Sequence, residues 1–198
     1  MHVFELDDPD SLSPRTHPWS GSLTDPAHRH YDLRGEPGLI RTVLEDWRPW
    51  EQYPATETFY RLVEWLNGPR SVLETSDCAF SGPTANESPA FAKALQCSGR
   101  LMLLFRDLPL NTDAARVNAF TNTLARGLAG EDAAFGWGVF GVTQVPVRFT
   151  TLPGMGEAQL GSQVMLSLWA WGDDEAETMA NLDRTLGGLS SVLRAVGV

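Results

Sequence analysis

The sequence predicts an α+β fold: a mostly antiparallel sheet with helices packed on one face, plus an irregular N-terminal arm. Three observations predict it. Apolar stretches of strand length come in adjacent pairs, and each pair is followed by an amphipathic helical stripe. The order helix, strand, strand, helix, strand, strand, helix suits strands joined as hairpins better than parallel crossovers. An internal echo also suggests two strand-strand-helix units: Leu101-Met102-Leu103 aligns with Val164-Met165-Leu166 at a shift of 63 residues, and the same shift carries Asn118 onto Asn181.

Residues 1–37 form the arm, and residues 38–198 a single α+β domain. Pro9, Pro14, Pro18, Pro26 and Pro37 exclude a long helix in the arm. Phe4, Trp19 and Leu23 are the residues that could pin it to the body. A short helix is expected over Leu39–Trp47, stopped by Pro49, and a longer one over Thr56–Leu66, punctuated by Asn67-Gly68-Pro69. Ser71–Phe80 reads as a strand, Ser88-Pro89 as the start of a short helix, and Arg100–Leu108 as an apolar strand. Asn111 or Thr112 should cap a helix carrying Val117, Phe120, Leu124 and Leu128. Phe135–Thr151 and Ser162–Trp171 read as strands. Asp173 or Asp174 opens a last helix with Met179, Leu182, Leu186, Leu189, Leu193 and Val196 in one stripe.

Alternation gives each strand two faces. Leu101, Leu103 and Phe105 should meet Val164, Leu166 and Leu168 under the helices. The opposite face carries Arg100, Met102, Leu104 and Arg106 beside Met165, Ser167, Trp169 and Trp171. That mixture calls for cover, from the arm or from a partner, and Arg, Trp and Met are types that interfaces favour.

Composition narrows the chemistry. A chain of 198 residues buries enough surface to fold without metal or disulfide staples. Its start has no basic and apolar leader, and no stretch approaches the roughly 18 uncharged apolar residues of a membrane span, so a cytoplasmic address is expected. Cys78 and Cys97 are then expected to be free thiols. A net charge of -10 repels nucleic acid and anionic membranes and attracts a basic partner. Lys93, the one lysine, sits in an ordinary helical context.

All four histidines, His2, His17, His28 and His30, lie in the arm. The body therefore lacks the commonest general base and metal ligand. His28 and His30 alone do not make a metal site, and no metal or other cofactor is expected. Gly136-Trp137-Gly138-Val139-Phe140-Gly141 matches G-x-G-x-x-G, but strand-like residues follow where a dinucleotide fold needs a helix, so a glycine-bearing strand is expected.

Two classes of function remain. The first is an acidic protein-binding module, of the kind an immunity-type inhibitor of a basic bacterial toxin or effector would be. Its candidate contacts are Arg100, Arg106, Trp169, Trp171, Asp173, Asp174, Glu175 and Glu177. The second is a small-ligand binder or enzyme built on Glu74-Thr75-Ser76-Asp77-Cys78 and the loop after it. Alternation there puts Glu74, Ser76 and Cys78 on one face and Asp77 on the other, with Glu74, Asp77 and Cys78 as candidate catalytic groups. The binding class is favoured, and the oligomeric state is left open.

Overall fold

The computed structural model describes residues 1–5, 14–19, 31–152, 154 and 156–196. Six strands, β1 (His2–Glu5), β2 (Arg15–His17), β3 (Leu73–Ala85), β4 (Leu95–Phe105), β5 (Gly138–Phe149) and β6 (Gln159–Gly172), make one sheet. Its order is β1-β5-β6-β4-β3, with β2 also on the outer edge of β5. The pairs β3-β4, β4-β6 and β5-β6 are antiparallel; β1 and β2 are parallel to β5. The α+β architecture is as the sequence predicts, and the arm adds two short parallel strands to it.

The expected Leu39–Trp47 helix is one turn, α1 (Ile40–Val43), followed by a 3-10 segment over Glu45–Trp50. Pro49 is tolerated inside that segment. The long helices are α2 (Pro54–Asn67), α3 (Ala114–Gly130) and α4 (Glu175–Val196). Proline at the first position of α2 sacrifices an N–H that would have no partner there. Phe59, Leu62, Val63 and Leu66 form its buried stripe. Asp113, rather than Asn111 or Thr112, caps α3 by accepting the Arg116 N–H. Asn111 instead stitches a 3-10 turn to β4, accepting from the Phe105 N–H and donating to the Phe105 and Leu108 carbonyls. At α4 the Asp174 carboxylate accepts the Glu177 N–H while Glu177 accepts the Asp173 N–H, a reciprocal cap.

One sheet face lies against the helices. Leu101, Leu103, Leu166, Leu168, Phe140 and Val142 fill it beneath Met179, Leu182, Leu186 and Leu189. Trp47 is stacked between Phe59 and Phe80, with ring centroids at 4.3 Å and 3.8 Å. The strand reading of the glycine motif holds, and Gly138 is needed because a Cβ there would overlap Thr185 and Phe135.

In the β4-β6 pairing Met102 lies opposite Met165, with Leu101 opposite Leu166 and Leu103 opposite Val164. Displaced by 63 residues, β3 falls on 136–148, β4 on 158–168 and α3 on 177–193, close to β5, β6 and α4. The two strand-strand-helix units thus face each other across a local two-fold at the methionine pair.

The sheet is strongly coiled. Strands β2 and β3 lie four spacings apart, roughly 19 Å if the sheet were flat. Yet Arg15 Nη1 reaches Asp77 Oδ2 at 3.2 Å. The Ser76 hydroxyl likewise donates across β4 to Gln163 Oε1 on β6, at 2.6 Å. Side chains meet across such distances only on the inside of a curl, so the face away from the helices is concave.

The outer edge of β3 is plugged by side chains. Asn67 accepts from the Thr75 N–H, Ser71 from the Leu73 N–H, and Asp46 from the Phe80 N–H. Capping these donors removes the template that an open edge offers to another strand.

Candidate functional site

The concave face divides in two along the strands. Its lower half is filled: Leu104, Val147, Phe149 and Leu152 form a second apolar cluster, with Trp19 and Leu108 packed against it. Trp19 therefore pins the arm as expected, whereas Phe4 is 55% exposed. Leu23 and the His28-Arg29-His30 segment lie outside the described residues.

The upper half is more open. The pairing places Ser98, Trp169, Val139 and His2 side by side across four strands, and Arg100, Ser167, Gly141 and Phe4 in the next row. Trp169, Ser98 and Ser167 are half-buried, and His2 and Phe4 are exposed. Arg100 keeps its charge at the surface and donates to Asp77 at 3.0 Å. A partly exposed aromatic and cationic floor is thus built from β4, β6 and β1.

This arrangement corrects the expectation that imidazoles stay outside the body. Pairing with β5 brings His2 and His17 into the sheet. His17 packs in tilted contact with Phe149 and edge-on to Trp19. The sequence hinted at β1 only through the alternation of His2-Val3-Phe4, a string too short to distinguish from an irregular arm.

The face assignment of β3 also changes. The register skips between Thr75 and Asp77, so Ser76 is an extra residue in a β-bulge. Beyond it the alternation is inverted. Glu74, Ser76 and Asp77 all belong to the concave face, and Cys78 turns under the helices opposite Leu101. Burial pushes the Cys78 thiol up to about 12, and the nearby Asp77 and Asp46 charges add to it. Cys97, buried opposite Ala170, is likewise pushed up to about 12. Both cysteines are free, and both are neutral thiols at physiological pH. The proposed trio of Glu74, Asp77 and Cys78 does not converge.

Glu74 and Asp77 instead hold the arm. Arg34 lies 3.5 Å from Glu74 Oε2, and Arg15 3.2 Å from Asp77. Burial raises the Glu74 carboxyl, opposed by the Arg34 and Arg106 charges. Arg106 has left the strand, which ends at Phe105 and not at Leu108. It donates to the Leu73 and Leu66 carbonyls at 3.0 Å and 3.2 Å. Burial lowers its pKa, with the Arg34 charge adding to the effect. It lies at the opposite end of β4 from Trp169.

Trp171 is buried, stacked on Phe91 at 3.8 Å, with its indole N–H donated to Asn86 Oδ1. The Asn86 amide donates to the Ser88, Phe91 and Lys93 carbonyls, so 86–94 is a tight loop in place of the expected helix. Lys93 belongs to this loop and bonds Asp173 and Glu177, both at 2.7 Å. Those bonds raise the Lys93 ammonium and lower both carboxyls. Glu175 accepts from the Tyr53 hydroxyl. Of the two tryptophans named from sequence, Trp169 is the one left with no hydrogen bond or ring contact among the described residues. It shares an end of the sheet with the 173–177 carboxylates, four residues further along the chain.

Among the described residues no three His, Cys, Asp or Glu side chains gather as metal ligands, and no helix is long and apolar enough to cross a membrane. Comparison of the chain with protein-family models, with curated proteins and with solved structures found no match.

Proposed function

We propose that this chain is a protein-binding module for a basic partner, acting as an immunity-type inhibitor of a basic toxin or effector. The observation that carries the reading is the partial exposure of the upper half of the concave face. Trp169, Phe4 and Arg100 there offer aromatic and cationic contact area while the lower half is sealed.

Charge supports the same reading. At the end of the sheet next to Trp169 lie four carboxylates, Asp173, Asp174, Glu175 and Glu177, of which Asp173 and Glu177 pair with Lys93. Because α2 and α4 run parallel, with Tyr53 beside Glu175 and Thr58 beside Asp183, both helix N-termini and the acids around them, Glu51 and Glu57 included, share that end. Negative charge at one end of this face speeds encounter with a basic surface and leaves the short-range contacts to the aromatics. The neutral thiols of Cys78 and Cys97 favour binding over nucleophilic chemistry.

The test is capture of a partner from the native lysate with the full chain and with Trp169→Ala. The expected result is one basic protein in stoichiometric amount, released by salt and lost with the alanine variant. Failure to recover any such protein at low salt, or equal recovery by Trp169→Ala, overturns the proposal.

A further inference from the structure

At the opposite end of the parallel helix pair the charge is reversed. Arg61, Arg70 and Arg194, with Glu64, Trp65, Gly68 and Pro69, bound a surface pocket of about 380 Å³. The carboxylate in its lining, Glu64, is already engaged from outside, receiving Arg41 through both oxygens. Arg194 lies over the Trp65 ring at 4.6 Å and, among the described residues, donates only to the Ser190 hydroxyl. Arg70 makes no hydrogen bond or ion pair among the described residues.

The usual reason for arginines at helix C-termini is to meet carbonyls that lack partners. In α2 other groups do this. The Trp65 carbonyl accepts from the Gly68 N–H, the Leu66 carbonyl from Arg106, and the Val63 carbonyl from the Asn67 amide. Neither Arg70 nor Arg194 has a carboxylate partner among the described residues, in a chain whose net charge is -10. Arg194 lines the pocket with its guanidinium over the Trp65 ring, and an arginine fork is the group that bidentate oxyanion binding uses.

We infer that this pocket binds a small phosphoryl-bearing ligand, held by Arg70 and Arg194 with Arg61 at the rim. A phosphoryl group supplies two negative charges and three acceptor oxygens, which matches two unpaired guanidiniums better than a single carboxylate does. The pocket's size suits a phosphate with a small attached group. The site is separate from the concave face, so it stands or falls independently of the partner proposed above.

The experiment is calorimetric titration of the full chain with orthophosphate, pyrophosphate and adenosine monophosphate at matched, low ionic strength. Arg70→Ala and Arg194→Ala are the test variants, and Arg126→Ala, on the exposed face of α3, is the control. All three positions are exposed, so each variant should fold. The expected result is saturable binding that each test variant weakens by about tenfold and the control leaves unchanged. Tighter binding of adenosine monophosphate than of orthophosphate assigns the ligand to organic phosphates; equal binding assigns it to phosphate itself. Absence of saturable binding by all three probes, or binding that survives both test variants, overturns the inference.

Discussion

The Arg15 guanidinium meets the Asp77 carboxylate at 3.2 Å across the full width of the sheet. The curl of the sheet makes this contact possible, and the contact in turn ties the arm to the far edge strand. Asp77 also accepts from Arg100 at 3.0 Å, so one carboxylate joins three separate stretches of chain.

Asp77→Asn should loosen that tie without unfolding the body. Both partners are partly solvated, so the expected loss is about 1 kcal/mol. Hydrogen exchange should quicken at residues 14–19 and stay slow in β4 and β6. Unchanged protection at 14–19 would show that the apolar packing of Trp19 alone holds the arm.

Glu74 carries the opposite sign. Burial raises its folded pKa above the unfolded value, so the unfolded chain gives up this proton more readily. The buried charge therefore costs stability at neutral pH, and that cost fades as pH falls through the raised value. Glu74→Gln should be at least as stable as the parent at pH 7 in urea unfolding. The difference should vanish once the Glu74 carboxyl is protonated in both states. A large loss at pH 7 would mean that the Arg34 pair outweighs desolvation.

Glu57 behaves in the ordinary way for a paired acid. Hydrogen bonds from Arg41 and Arg61 lower its carboxyl from 4.5 to about 2. Its contribution is fully present above about pH 4.5 and is lost as pH falls through about 2. Glu57→Gln should flatten the acid limb of the stability curve in that window, modestly, because the pair is exposed to solvent. Parallel acid limbs for the two proteins would contradict the assignment.

The two thiols should be slow to alkylate in the folded protein at pH 8, since both titrate near about 12, and fast in denaturant. Cys78→Ala should leave partner capture unchanged. Rapid native-state labelling of one thiol would reopen nucleophilic chemistry on β3.

Trp47→Ala should destabilise the fold more than any of these substitutions. Its ring fills the gap between Phe59 and Phe80 and is 1% exposed. Truncation leaves a large cavity and should cost about 3–5 kcal/mol, readable as a fall in the urea midpoint. A shift of a few tenths would mean that α2 and β3 collapse onto each other.

Much of the fold is legible in the sequence. Helical period, proline and glycine punctuation and strand alternation are local signals, and they locate α2, α3, α4, β5 and β6 to within a few residues. The echo at a shift of 63 residues proves to be the register itself, because units that repeat in sequence can pair about a two-fold at Met102 and Met165. Alternation also puts Trp169 and Arg100 on one sheet face, as the register does.

Long-range contacts settle the rest. A bulge at Ser76 leaves no mark in a pattern of polar residues, yet one extra residue moves Cys78 to the helix side and Asp77 to the other. Strings of three and four residues, Arg15–His17 and His2–Glu5, become strands because β5 offers them an edge. Trp171 and Trp169 look alike in sequence, and the Asn86 loop buries the first while the second is half-buried. Period and punctuation act between near neighbours and are written into the chain; pairing, parity beyond a bulge and burial depend on which distant segments arrive.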